Sequence, residues 1–187
     1  MASKVEIINM ALRSLGADTI TDITEDSENA RKMDSIYDIV LKSLLRLCRW
    51  SFAKKESTLS RISGAPILTE YAYIYGLPSD FLGLNKTTVE PSYSHKIKGR
   101  YLYSNATAVS IEYTYFCDEP DQYDALFADA FAARLAAELC FSITAKPALI
   151  EVKWKEFKEK LNVARSANGQ EVTPDEAQCD TWINARI

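Results

Sequence analysis

The chain has 187 residues, 47% of them hydrophobic and 11% aromatic, with only six glycines and six prolines, a composition that supports a buried core and excludes a disordered or fibrous chain. Twenty-two Lys and Arg stand against 26 Asp and Glu, a net charge of −4, so the basic excess behind tight sequence-specific DNA binding is missing. The length fits one domain, or one domain carrying an insertion.

The first element is a helix. Ser3, Lys4, Val5 and Glu6 have the form of a capping box, in which the Ser3 hydroxyl and the Glu6 carboxylate each accept from the other residue's amide. Val5, Ile8, Leu12 and Leu15 follow at helical spacing, and Gly16 stands where a left-handed C-terminal cap is wanted. Residues 17–25 read as an ordered loop pinned to the core by Ile20 and Ile23. Asp26 and Ser27 start a second helix, with Glu28 in its first turn. Ala30, Met33, Tyr37, Val40, Leu44 and Leu47 make one stripe that predicts a long helix reaching Trp50. Its other face carries Arg31, Lys32, Asp38, Lys42, Arg46 and Arg49, either a solvated surface or a subunit contact.

After Phe52 the period changes to two. Tyr71, Tyr73 and Tyr75 alternate; Gly76, Pro78 and Asp80 break the run; strands are then predicted at 81–84, 87–90, 96–98, 100–103 and 109–116. In the last of these, Val109, Ile111, Tyr113 and Tyr115 share one face, and Ser110, Glu112, Thr114 and Phe116 the other. These strands predict one antiparallel sheet that leans on the helices, because strands this short make little core of their own.

Asp118, Glu119, Pro120 and Asp121 read as the start of a third helix. Phe127, Phe131, Leu135 and Leu139 form its ridge, and Ala128, Ala132 and Ala136 beside them let another helix come close, so this helix is expected to be the most buried. Pro147 marks a restart, and Ile150, Trp154, Phe157, Leu161 and Ala164 line a fourth helix with a Lys- and Glu-rich outer face. From Asn168 the chain shows no period and ends in a tip containing Trp182, Ile183, Arg186 and Ile187. Such a tip either folds back on its own helices or, the preferred reading, docks on another chain.

Candidate chemistry is sparse. The one histidine, His95, falls in a polar run read as a hairpin turn, so no Ser-His-Asp triad or multi-histidine metal site is expected. Cys48, Cys117, Cys140 and Cys179 lack metal or disulfide spacing and read as buried free thiols. No phosphate-binding glycine loop is present. The carboxylates of Asp118, Glu119, Asp121 and Asp124 are explained by a helix dipole. The tyrosines at 71, 73, 75, 101, 103, 113 and 115 could stack on single-stranded nucleic acid, but few cations interleave them, and a packed sheet face is the better reading. No apolar run is long enough to span a membrane, and the first residues carry no signal-peptide core, so a cytoplasm-like compartment is expected.

The order of these elements resembles a family. A capped helix ending at Leu15 and Gly16, an acidic and Ser/Asn-containing run, a long helix ending Arg49-Trp50-Ser51-Phe52-Ala53, and then Tyr73-x-Tyr75-x-Leu77-Pro78-x-Asp80-Phe81-Leu82 are similar to the head-to-tail adaptors of short-tailed bacteriophages. These are also called tail tubular protein A or tail accessory connector proteins. The aromatic strand at 111–116, the acidic step at Asp118 and Glu119, the Ala-rich helix, the charged helix and the terminal tail continue the likeness.

The resemblance implies an α+β, mainly α fold: a four-helix bundle from residues 1–51 and 118–167, an antiparallel β insertion at 52–117 between helices two and three, and an extended C-terminal arm at 168–187. It implies a structural virion protein at the head–tail interface, assembled in the host cytoplasm. Such a protein forms a homo-oligomeric, dodecameric ring under the portal protein and above the tail nozzle protein, and double-stranded DNA passes through it. By position it gives Trp182, Ile183, Arg186 and Ile187 to portal contact, with no catalytic residue, cofactor, metal or membrane. The alternative is a cytoplasmic helical scaffold or adaptor that binds a partner peptide. Phe131, Leu135, Leu139, Trp154, Phe157, Leu44 and Leu47 are the expected core.

Overall fold

The computed structural model describes residues 3–64, 70–89 and 94–171. Helix α1 (Lys4–Leu15) is closed at both ends as its sequence requires. The Ser3 hydroxyl accepts from the Glu6 amide at 3.1 Å, the Glu6 carboxylate accepts from the Ser3 amide at 2.7 Å, and Gly16 takes φ 70°. Helix α2 (Glu28–Leu47) is capped by Ser27 and carries an i,i+4 pair, Glu28–Lys32, at 2.6 Å. Between them Ile20 is buried and Ile23 half-buried.

One residue in this region was not singled out by pattern. Asn9 is buried and bonds both ways to one backbone unit, its amide donating to the Ile20 carbonyl at 2.8 Å and its Oδ1 accepting from the Ile20 amide at 2.9 Å. Asn9→Ala would strand two buried backbone groups, and urea denaturation is expected to show a loss of about 1 to 3 kcal/mol for each group left unsatisfied.

Helix α2 stops at Leu47, three residues before Trp50. Trp50 turns back into the core, and its indole N–H donates to the Leu44 carbonyl at 3.0 Å, satisfying one of the carbonyls a helix end leaves open. Trp50 thereby fills the place expected for Leu47, which is half-exposed. The rest of the stripe, from Ala30 to Leu44, is buried, and Leu41 and Leu45 widen it.

Six strands lie between α2 and the third helix: β1 (Lys54–Thr58), β2 (Tyr73–Gly76), β3 (Phe81–Thr87), β4 (His95–Lys98), β5 (Tyr101–Ser104) and β6 (Ser110–Tyr115). They form two three-stranded antiparallel sheets, β1-β6-β3 and β2-β5-β4, where a single sheet was expected. Strand β1, Lys-Lys-Glu-Ser-Thr, has no apolar alternation to betray it, because it is an edge strand and charge suits an edge. Strand β3 fuses the two predicted runs at 81–84 and 87–90 as far as Thr87, with register shifts between Phe81 and Gly83 and between Leu84 and Lys86. Ile111, Tyr113 and Tyr115 of β6 are buried on the expected face. The β4–β5 hairpin turns at Gly99, φ 59°, and Arg100. His95 therefore sits in the strand opposite Ser104, not in a turn.

Helix α3 (Ala125–Thr144) starts later than its acidic prelude suggested. Residues Pro120–Gln122 make a short 3₁₀ turn, and Asp124 caps α3 by accepting from Leu126 and Phe127 amides at 2.9 and 3.2 Å. Asp118 and Glu119 are thus loop residues, not first-turn charges of α3.

With eleven buried residues α3 is the centre of the helical layer and packs on α1, on α2 and on α4 (Ala148–Glu171). Phe131, Leu135, Leu139, Phe157 and Leu44 are buried as expected, and Trp154 is half-buried. The Arg134 guanidinium lies over the Trp154 and Phe157 rings at 4.4 and 5.1 Å, and Lys160 of α4 pairs with Asp129 at 2.9 Å. The fold is thus mixed α and β, about half helical among the described residues, with the helices gathered round α3 rather than in a pure four-helix bundle.

Helix α4 runs to Glu171, so the C-terminal boundary read at Asn168 falls inside its last turn. Asn168 is tied down: its Oδ1 accepts from the Ser51 amide and hydroxyl at 2.8 and 3.0 Å, and its amide donates to the Arg49 carbonyl at 3.1 Å.

Candidate functional site

Trp182, Ile183, Arg186 and Ile187, assigned by position to portal contact, lie outside the described residues, as does Cys179. Cys117 and Cys140 are buried free thiols, whereas Cys48 is only half-buried. Among the described residues no group of His, Cys, Asp and Glu is placed to hold a metal ion, and no helix is long and apolar enough to cross a membrane.

Two surface features stand out, a cleft beside the β1-β6-β3 sheet and the loop that follows strand β6. The first is a cleft of about 750 Å³ where the end of α2, the sheet and the last turns of α4 meet. Each element brings a cation: Arg46 and Arg49 from the end of α2 and just beyond it, Lys54 from β1, Lys86 from β3 and Arg165 from α4, against one carboxylate, Glu112 of β6. Among the described residues no carboxylate lies in ion-pair range of Arg46, Arg49, Lys54 or Arg165. The Arg46 guanidinium donates to the Leu82 carbonyl, which fixes its stem beside the sheet. Leu47 and Leu84 add apolar wall.

Sequence reading placed Arg46 and Arg49 on the outer face of α2 but could not gather them with Lys54, Lys86 and Arg165. Each of these charges looks like an ordinary solvated residue in its own segment. Only the meeting of four elements makes them one site.

The second feature is the loop at 118–124. Asp118, Glu119, Asp121 and Asp124 are exposed, and none of them is ion-paired among the described residues. The loop is held firmly. Gln122 donates to the Glu119 carboxylate and accepts from the Tyr115 hydroxyl at 2.8 Å, and the Tyr123 hydroxyl donates to the Cys117 carbonyl at 2.9 Å. Tyr123 stacks at a tilt on Phe52, 5.5 Å away, and edge-on against Phe127 at 5.1 Å.

Successive residues of β6 point to opposite faces and so meet different features. Glu112 and Thr114 of β6 line the cleft, whereas the next residue, Tyr115, holds the loop and packs under Lys55, whose ammonium lies 3.7 Å from its ring centroid.

The tyrosines of the sheet are structural where they are buried. Tyr75, Tyr113 and Tyr115 are enclosed, Tyr101 is exposed, and the rings of Tyr73 and Tyr103 are covered by Arg61 and Lys98 at 3.9 and 5.5 Å. Burial, reinforced by the hydrogen bond to Asp80 at 3.0 Å, pushes the Tyr113 phenol up to about 12. Burial likewise raises Tyr37, Tyr115 and Tyr123 well above the usual tyrosine range.

No family model matches this chain, and no curated protein matches it.

Proposed function

We propose that the chain is a structural virion protein, a ring-forming head-to-tail connector that docks under a portal, joins it to the tail and surrounds the passing DNA. The observation that carries this reading is the outer surface of the helical layer. Ile39 on α2, Phe141 on α3, and Val152 and Val163 on α4 stand out from it at 54 to 68% exposure. Val152 and Val163 are eleven residues apart, close to three full turns, and so share one face of α4. Apolar side chains on three helices, set among charges, suit a subunit that is enclosed by other protein.

A ring of identical subunits needs two unlike contact faces, and the chain presents a basic cleft and an acidic loop. The order of elements agrees with the head-to-tail adaptors that the sequence resembles. In this reading the protein is a homo-oligomer, dodecameric as in that family, which bridges the portal and nozzle proteins at the head–tail interface after assembly in the host cytoplasm. The residues at 182, 183, 186 and 187 supply the portal contact, and the subunit needs no cofactor and performs no catalysis.

Electron microscopy of the purified protein, alone and mixed with its portal protein, tests the reading. Rings, free or seated on the portal, are the expected result. A chain that stays monomeric in both samples overturns it. The basic cleft favours the second reading, an adaptor binding an acidic partner peptide; a persistent monomer with affinity for such a peptide would select that one.

A further inference from the structure

We propose that the basic cleft of one copy receives the acidic 118–124 loop of a second copy, so that this chain associates head to tail through these two unlike surfaces. The cleft carries five cations against the single carboxylate of Glu112, and the loop presents four carboxylates. Four of those cations and all four of those carboxylates have no ion-pair partner among the described residues. Within one chain they do not meet: among the described residues no ion pair joins them, and β6 turns Glu112 and Thr114 to the cleft while Tyr115 bonds the loop. A second copy supplies what each face lacks. Because the two faces differ, the contact is heterologous and leaves one cleft and one loop free for further copies.

Both partners are preorganised. The loop is braced by the Tyr115, Gln122 and Tyr123 bonds, and Arg46 is held by the Leu82 carbonyl, so little ordering cost falls on association. The loop also brings Pro120 between its carboxylates, and Leu47 and Leu84 offer apolar wall to receive it.

Duplex DNA fits the cleft less well. The chain as a whole is negative, −4, which repels a polyanion at long range. The inference rests on the connector reading only for closure of the contact into a ring.

Two variants test it. Arg46→Glu with Arg165→Glu reverses charge in the cleft, and Asp118→Lys with Asp121→Lys reverses it in the loop. All four side chains are exposed, and Asp124 and Glu119 are spared because they cap α3 and bond Gln122. Circular dichroism should show both variants folded. In sedimentation velocity the wild-type chain is expected to form multi-subunit species that weaken as salt is raised. Each variant alone should associate at least about tenfold more weakly, as expected for loss of close charge pairs. An equimolar mixture of the two should regain association that neither variant shows alone, since the intact cleft of one can receive the intact loop of the other.

Variants that assemble as well as the wild type, a mixture that stays monomeric, or a wild-type chain monomeric at every concentration would each overturn the contact. Portal-seated rings formed by both variants would remove this contact and leave the connector reading standing. Absence of any assembly, with portal or without, would remove both.

Discussion

Replacing Phe131 with alanine is expected to lower the free energy of unfolding by about 3 to 5 kcal/mol, the range for removing a buried aromatic ring. The ring is fully enclosed, meets Tyr37 edge-on at 4.9 Å and lies 6.2 Å from Phe127. It stands on the helix that touches each of the other three, so the cavity would open where relaxation is hardest. Because domains of this kind are stable by only about 5 to 15 kcal/mol, the variant should show a clearly lower denaturant midpoint. Phe141→Ala on the same helix, at an exposed position, should change stability by less than about 0.5 kcal/mol. A loss under about 1 kcal/mol at Phe131 would mean that the helical layer is not organised round α3.

Above pH 10 the protein should lose stability steeply. Tyr37, Tyr113, Tyr115 and Tyr123 all have phenols raised by burial. A group whose folded pKa is raised contributes nothing to pH dependence while both states keep the proton. Its stabilising contribution disappears as pH climbs from the unfolded value, about 10, through the folded one. For Tyr113 that window is about 10 to 12. Within it, stability falls by about 1.4 kcal/mol per pH unit for each tyrosine ionised only in the unfolded chain.

Urea midpoints between pH 8 and 11, read alongside the phenolate absorbance, check this. Tyr113→Phe should make the decline shallower. Tyr37→Phe should do the same and be neutral or stabilising at pH 7, because the Tyr37 hydroxyl is buried without a hydrogen-bond partner among the described residues. Tyrosines that ionise together near pH 10 with no loss of fold would contradict the enclosure of these rings.

Much of the helical layer was legible because its signals are local. The Ser3 and Glu6 box, the glycine after Leu15, the stripe from Ala30 to Leu44 and the ridge of α3 each depend on neighbours a few residues away. The alternation in β6 was as plain, since one face of that strand is buried.

What escaped depends on distant partners. Trp50 ends α2 early by bonding back to Leu44, a competition between core filling and helix propensity that no window of sequence displays. Asp124 rather than the acidic step before it caps α3, because three acidic candidates and one proline offer equivalent local signals. Asn9 looks like any polar residue on a helix until Ile20 folds over it. The candidate site was the least legible part. Its five cations come from the region around the end of α2, from β1, β3 and α4, and charge carries no periodicity that would announce their meeting.

The tie made by Asn168 has a mechanical consequence. Through Ser51 and Arg49 that side chain clamps the last turn of α4 to the junction between α2 and β1, more than a hundred residues away in the chain. A pull on the chain beyond Glu171 would otherwise peel α4 from its end, one turn at a time. With the clamp in place the tension passes sideways into the root of the sheet and the foot of α2, where several hydrogen bonds must yield together. The end of α4 is therefore fastened by partners from a distant part of the chain rather than by its own turns alone.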